Sequence, residues 1–98
     1  MDAAQWRVID ALIAERDPYC RGVVLLGQNA STDVLATGFV DARSSSTCRG
    51  FAVGRTIFQE PARRWLAGAV DDATLKQAIR ATFEGLIDAW QNARRTDL

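Results

Sequence analysis

The sequence predicts an α/β fold of parallel β-α units, in the order helix, strand, helix, strand, short helix, long helix. A degenerate repeat is the first observation, since residues 20–27 (CRGVVLLG) recur as residues 48–55 (CRGFAVGR), an offset of 28 positions. That offset is about the length of one strand-plus-helix unit. The second observation is the apolar run Val23 to Leu26, which is typical of a parallel strand buried on both faces.

The first helix begins after Asp2, which can cap it, and it carries one apolar face. At helical spacing, that face consists of Trp6, Ile9, Leu12 and Ile13. We expect the helix to end by Asp17, because the residue before a proline is disfavoured in the helical conformation. After the turn at Pro18, the first strand covers residues 23–26.

The second unit is predicted from the same signals. Asn29 or Ser31 can cap the second helix. Its clearest apolar positions are Val34, Leu35 and Phe39. A polar connection then leads to the second strand, residues 51–53, and residues 54–56 form the loop that follows it.

Two helices complete the chain. The short one is expected from Pro61 to Leu66, because proline suits a first helical turn, and Gly68 would close it. Asp71 or Asp72 starts the long one, which ends at the basic pair 94–95, favourable at that end of the helix dipole. Its apolar stripe is Leu75, Ile79, Phe83, Leu86 and Trp90.

The composition excludes several kinds of chemistry. The chain has 98 residues, enough for one small domain, and its 12 cationic and 12 anionic side chains balance. Without a basic cluster, we expect no nucleic acid and no anionic membrane surface as a partner. Because there is no histidine, histidine catalysis, Ser-His-Asp triads and histidine metal sites are ruled out, and two cysteines alone cannot complete a zinc site. No metal or cofactor is therefore expected.

The expected location is the cytoplasm. The longest apolar run, residues 23–26, is too short to cross a bilayer, and the first residues do not resemble a signal peptide. In that compartment Cys20 and Cys48 are expected to be buried, reduced thiols. Core packing is the expected role of Trp6, Trp65 and Trp90, which lie on apolar helix faces.

Two segments carry a family resemblance: residues 17–27 (DPYCRGVVLLG) and residues 49–58 (RGFAVGRTIF). The motif at residues 65–68 and the helix start at residues 71–72 agree with it. The chain resembles the C-terminal, aldolase-type (β/α)8 domain fused to bacterial 5-dehydro-2-deoxygluconokinases of myo-inositol catabolism. The resemblance implies a parent that joins a sugar kinase to the 5-dehydro-2-deoxyphosphogluconate aldolase step.

By this resemblance the chain is one partial domain, residues 1–98, equivalent to the last quarter of the barrel. Residues 1–16 would be the sixth helix, residues 23–26 the seventh strand and residues 51–53 the eighth. The family's candidate Schiff-base lysine lies on the sixth strand, which has no counterpart here, and Lys76 is not a replacement. No catalytic residue is therefore assigned.

The candidate site lies where the two strands end. In (β/α)8 enzymes, the loops after strands seven and eight often hold a phosphate. The candidate phosphate-binding residues are Gly54, Arg55 and Thr56, faced by Gly27 and Gln28. The sequence departs from the family at Gln28-Asn29, where an apolar residue followed by an acid is more usual. The competing interpretation is a tight turn at Gly54 and an ion pair between Arg55 and Glu60.

Three hypotheses for function follow. The first is a fragment of the sugar-phosphate-binding, aldolase-like domain that carries a phosphate-binding half-site and is not catalytic alone. The second is a small non-enzymatic αβ module that self-associates through its exposed strand edges, or pairs with the missing barrel part. The third is the tail of a split enzyme.

Overall fold

A computed structural model describes residues 1–95, so the last three residues of the predicted domain, 96–98, lie outside the described residues. It contains four helices and a two-stranded parallel sheet, which confirms the mixed α/β class and the predicted element order. The elements are α1 Ala3–Arg16, β1 Val23–Leu26, α2 Thr32–Asp41, β2 Cys48–Ala52, α3 Arg55–Leu66 and α4 Asp72–Arg95.

The predicted caps of the first two helices are confirmed. Asp2 and Gln5 form a capping box at α1, each side chain accepting from the other residue's backbone N–H at 2.9 Å. Ser31, not Asn29, caps α2, because its hydroxyl accepts from the Val34 N–H at 3.3 Å. Local side-chain chemistry therefore decides where both helices begin.

The third helix is longer than predicted. α3 begins at Arg55 and not at Pro61, which lies inside it. A proline inside a helix removes one backbone hydrogen bond at a cost of about 3 kcal/mol. The long helix is nevertheless favoured because Ile57, in its first turn, packs against the main core. The predicted end is confirmed: Gly68, at a φ of 76°, completes a Schellman motif in which the N–H groups of residues 68 and 69 donate to residues 65 and 64.

The second strand starts earlier than predicted. It covers Cys48–Ala52, whereas the apolar pattern indicated residues 51–53. Its parallel partners are Val23↔Cys48, Val24↔Gly50, Leu25↔Phe51 and Leu26↔Ala52, with an irregularity after the first pair. The segment Cys48–Gly50 is therefore part of the strand because its backbone pairs with β1. The apolar pattern of the side chains could not predict this pairing.

The core lies on one face of the sheet. α2 and α4 contribute its buried residues, Leu35, Phe39, Leu86 and Ala93. From the sheet, the ring of Phe51 lies 4.8 Å from the ring of Phe39. The opposite face is open: Val24 and Leu26 are 51% and 58% exposed. The prediction that residues 23–26 are buried on both faces is therefore wrong for an isolated chain, because the four helices within residues 1–95 cover only one face.

The first helix is attached to the rest at few points. Only Trp6 of its predicted apolar face is buried, where it packs with Ala42 and Cys48, whereas Leu12 is 47% exposed. The radius of gyration is 16.1 Å, against about 13 Å for a compact domain of this length. The expected core packing of Trp6 is confirmed, whereas most of the apolar face of α1 is not buried within residues 1–95.

Candidate functional site

The carboxyl ends of both strands lie at the same edge of the sheet, because β1 and β2 are parallel. The loop after β1 and the start of α3, which follows β2 almost directly, meet at that edge. The backbone N–H of Gly27 donates to the Ala52 carbonyl at 2.9 Å, which joins the two strand ends. The structure therefore brings together the two segments that contain the predicted site residues.

The loop after β1 is a tight turn with unusual backbone angles. Gln28 and Asn29 have φ values of 49° and 62°, and the Ala30 N–H donates to the Gly27 carbonyl at 2.9 Å. Two successive positive φ values are those of a type I′ turn, which asparagine tolerates well but glutamine does not. Backbone strain of this kind occurs often at ligand-binding sites. Gln28 is thus held, exposed, in a costly conformation at the candidate site.

Close packing explains the glycine that precedes this turn. Gly27 is buried, and a Cβ at this position would lie 2.9 Å from Val53 Cγ1. Such a contact is shorter than real Cβ atoms show, so either the Val53 side chain or the backbone would have to shift. Gly27 therefore lets the loop approach β2 closely, and its own contribution to binding is limited to the backbone.

Within the described residues, no side chain caps the start of α3. Gly54 is the N-cap residue, with φ −139° and no side chain to accept from the first-turn N–H groups. The first turn contains no acid and instead begins with Arg55, a cation at the positive end of the helix dipole. This arrangement is unfavourable by itself and becomes favourable when an anion lies at the helix start.

Thr56 has a structural contact that the sequence did not reveal. Its hydroxyl donates to the Ala30 carbonyl at 2.7 Å, across 26 residues of chain. The contact locks the loop after β1 against the first turn of α3. Because a hydroxyl has one proton to donate, Thr56 offers an anion its backbone N–H but not its side chain.

Arg55 does not form the ion pair considered from the sequence. Glu60 instead contacts two other arginines of α3, Arg63 at 3.0 Å and Arg64 at 3.6 Å. Among residues 1–95, Arg55 has no ion pair, and it is exposed. The competing interpretation of Arg55 is therefore wrong within the described part of the chain, and its guanidinium is available to a ligand.

Lys76 is exposed on α4.

The chemistry available at the strand ends is anion binding by the Arg55 guanidinium and the backbone N–H groups at the start of α3.

A second polar cluster lies away from this edge and was not predicted. The Asp10 carboxylate of α1 accepts hydrogen bonds from the hydroxyls of Ser45 and Thr47 and from the backbone N–H of Ser46, the last at 3.0 Å. Although partial burial raises the pKa of Asp10, these donors outweigh it and hold that pKa below the usual value. No sequence signal links residues 10 and 45. The cluster fastens α1 to the loop before β2.

Arg94 joins α4 to the start of the sheet. Its guanidinium donates to the carbonyls of Arg43, Ser45 and Cys48 and lies 4.5 Å from the ring centre of Trp90. The predicted helix-dipole role of this cation is thus only part of its function, because it also satisfies carbonyl groups in the segment that leads into β2.

The cysteines and tryptophans differ from expectation in detail. Both cysteines are free thiols, and Cys48 is buried whereas Cys20 is only partly buried. Trp65 is 41% exposed, so it is not a core residue. Its indole N–H donates instead to the Asp72 carboxylate at 2.7 Å, which ties the end of α3 to the start of α4.

One family model covers the whole candidate site. A family model described as "Uncharacterized protein conserved in bacteria (DUF2090)" matches residues 1–94. No curated protein and no solved structure matches the chain. Within residues 1–95, none of the helices combines the length and the apolar character that a bilayer crossing requires.

Proposed function

We propose that this chain, which belongs to the DUF2090 family of bacterial proteins, supplies a phosphate-binding half-site for a sugar phosphate. The proposed architecture is the last quarter of a (β/α)8 barrel, with β1 and β2 as its seventh and eighth strands. The proposed setting is the cytoplasm, without a membrane or nucleic-acid partner.

One observation carries the proposal: within residues 1–95, no capping side chain and no acid of the first turn neutralises the positive start of α3. Arg55 lies in the first turn, no side chain caps the helix, and the first turn has no acid. A phosphate at this point would accept from the backbone N–H groups of Arg55 and Thr56 and pair with the guanidinium. It would turn a repulsion between the arginine and the helix dipole into an attraction.

The facing loop supports the same position. Thr56 and Ala30 hold the turn at residues 27–30 against the helix start, so the turn is fixed before any ligand arrives. The exposed amide of Gln28 sits on that turn. An amide N–H₂ is a donor that suits a phosphate or a sugar hydroxyl. Preorganised donors lower the entropy cost of binding.

The substrate class comes from the resemblance. The kinase-fused aldolase-type domains act on phosphorylated 5-dehydro-2-deoxygluconate, so a sugar phosphate is the proposed ligand. Catalysis is not proposed for these residues alone, because the resemblance places the Schiff-base lysine on a strand that has no counterpart here. The open face of the sheet supports this view, since Val24 and Leu26 would face a barrel interior.

The test is the binding of a sugar phosphate by isothermal titration calorimetry, with the matching unphosphorylated sugar as the ligand control. Arg55→Ala is expected to weaken sugar-phosphate binding at least tenfold, because it removes a charge-assisted contact. The matched control is Arg64→Ala, which removes the same charge from the same helix about 14 Å further along its axis. Equal loss in both variants, or binding of the sugar without its phosphate, would refute the proposed site.

A further inference from the structure

An apolar groove runs along the free edge of β1. Its volume is about 910 Å³, and it lies between the start of α1 and the exposed side of α2. The apolar side chains that line it include Trp6, Ile9, Val24, Leu26 and Val34. Two of these, Leu26 and Val34, are 58% and 62% exposed. Contiguous exposed apolar surface next to a strand edge is typical of an interaction site.

The strand edge inside the groove has unpaired backbone groups. The N–H of Val23 donates at 2.8 Å to the carbonyl of Thr47, just before β2, and the N–H of Gly27 donates at 2.9 Å to the carbonyl of Ala52 in β2. Because backbone N–H directions alternate along a strand, the N–H groups of Val24 and Leu26 point to the free edge. Such an edge is a template for another strand. Within residues 1–95, no strand covers it.

The chain exposes more surface than a folded monomer of its size. Its accessible area is 6828 Å², whereas a monomer of 10.8 kDa is expected to expose about 5,500 Å². The excess is about 1,300 Å² by the same relation. A stable interface of standard size buries about 800 Å² on each partner. The uncovered surface is therefore large enough for a stable dimer.

The charges around the groove favour a copy of the same chain. The formal net charge is zero, so no net charge opposes the association of two copies. Arg21 precedes the strand and Asp33 lies in the first turn of α2, at the other end of the groove. Both are exposed, and neither has an ion pair among residues 1–95. An antiparallel copy brings the basic end of one strand to the acidic end of the other.

We propose that this groove is the binding site of a second copy of the chain, whose β1 pairs antiparallel with the first. In such a pair, residues whose N–H groups point outward must face each other. Val24 therefore lies opposite Leu26 of the second copy, and the two Leu25 residues face each other on the twofold axis. The product is a four-stranded sheet in which each copy offers the same surface, as twofold symmetry requires.

The unpaired backbone groups of β1 favour a second strand over a small ligand as the occupant of the groove. A small apolar ligand in the groove would leave the N–H groups of Val24 and Leu26 without partners. A second strand satisfies both and places its own Val24 and Leu26 side chains next to those of the first copy. This inference concerns the edge of β1 and does not depend on phosphate binding at the strand ends.

The first experiment measures the mass of the chain by sedimentation equilibrium across a concentration series. The expected species is a discrete dimer, twice the 10.8 kDa of the chain. A monomer at every concentration would overturn the proposal. So would open-ended growth, because twofold pairing through β1 closes after two copies.

A matched pair of variants locates the interface. Leu26→Glu places a charge in the groove and is expected to raise the dimer dissociation constant at least tenfold. Leu66→Glu is the control, since Leu66 is 77% exposed at the end of α3, outside the groove. Equal effects of the two substitutions, or no effect of Leu26→Glu, would overturn the proposal.

A proline tests the backbone pairing. Val24→Pro removes an N–H that points to the free edge, a position where edge strands tolerate proline. The monomer is expected to keep its thermal unfolding transition, whereas the dimer is lost. A variant that still forms the dimer with wild-type affinity would show that β1 does not pair with its copy. If Val24→Pro unfolds the chain, Leu26→Glu decides alone.

Discussion

The Asp10 carboxylate of α1 accepts a hydrogen bond of 2.7 Å from the Ser45 hydroxyl, which lies in the loop before β2. The same hydroxyl accepts from the backbone N–H groups of Thr47 and Cys48, at 3.2 and 3.0 Å. Ser45 is therefore the centre of a small buried network, and it connects a loosely packed helix to the start of the sheet. The first two predictions concern this network.

Ser45→Ala is expected to lower the free energy of unfolding by about 1–3 kcal/mol, because it leaves the N–H groups of Thr47 and Cys48 without this acceptor and removes one of the donors to Asp10. Urea denaturation would measure the change. Ser44→Ala is the control, since Ser44 is an exposed neighbour in the same loop. A difference between the two variants below the error of the measurement would mean that the network does not stabilise the fold.

Acid is expected to weaken the attachment of α1. Because hydrogen bonds lower the pKa of Asp10 below its ordinary 3.8, the folded state binds its proton more weakly than the unfolded chain does. The stabilisation is complete above pH 3.8 and is lost as the pH falls through the lowered pKa of the folded state. Asp10→Asn should therefore lose stability at neutral pH and show a smaller further loss in acid than the wild type. Asp88→Asn, at an exposed position of α4, should keep the acid dependence of the wild type.

Pro61→Ala is expected to stabilise the chain. Alanine restores a backbone N–H inside α3 and removes the clash of the proline ring with the preceding turn, together about 1–3 kcal/mol. Thermal unfolding would show a higher midpoint. The control is Pro18→Ala, at the chain's other proline, which lies in an exposed turn. A destabilised Pro61→Ala variant would indicate that the packing of the ring matters more than the missing hydrogen bond.

Arg94→Lys is expected to destabilise the chain by about 1–3 kcal/mol although it keeps the charge. A lysine cannot reproduce the fork that donates to carbonyls of Arg43, Ser45 and Cys48. Arg80→Lys is the matched control on the same helix, because Arg80 is exposed and, among residues 1–95, its ion pair is with Glu84 alone. Equal stability of the two variants in guanidinium denaturation would contradict the role given to Arg94.

Local signals predicted the helix ends best. Asp2, Ser31 and Gly68 act on backbone groups a few residues away, so their effect can be read along the chain. The start of α3 was not predicted because Pro61 is typical of a first helical turn. The helix begins six residues earlier, at Arg55, because Ile57 packs against a core made by other helices. The extent of β2 was missed for a similar reason, since its partner is 25 residues away at Val23↔Cys48.

For the candidate site too, the sequence predicted local features but not contacts between distant residues. The repeat at residues 20–27 and 48–55 predicted that Gly27 and Arg55 follow two strands, and parallel pairing confirms that they share one edge. It did not reveal that the Thr56 hydroxyl donates to the Ala30 carbonyl or that Glu60 forms ion pairs with Arg63 and Arg64. Those outcomes depend on competition between several possible partners, which only the distances resolve.

The sequence by itself determined the α/β class, the order of the elements and most helix boundaries, because these depend on residue pattern and on contacts within a few residues. The tertiary structure alone decided which face of the sheet is covered, how weakly α1 is held, and which polar groups at the strand ends are left for a ligand. These depend on contacts between distant residues such as Asp10 and Ser45, and on how much apolar surface four helices can cover.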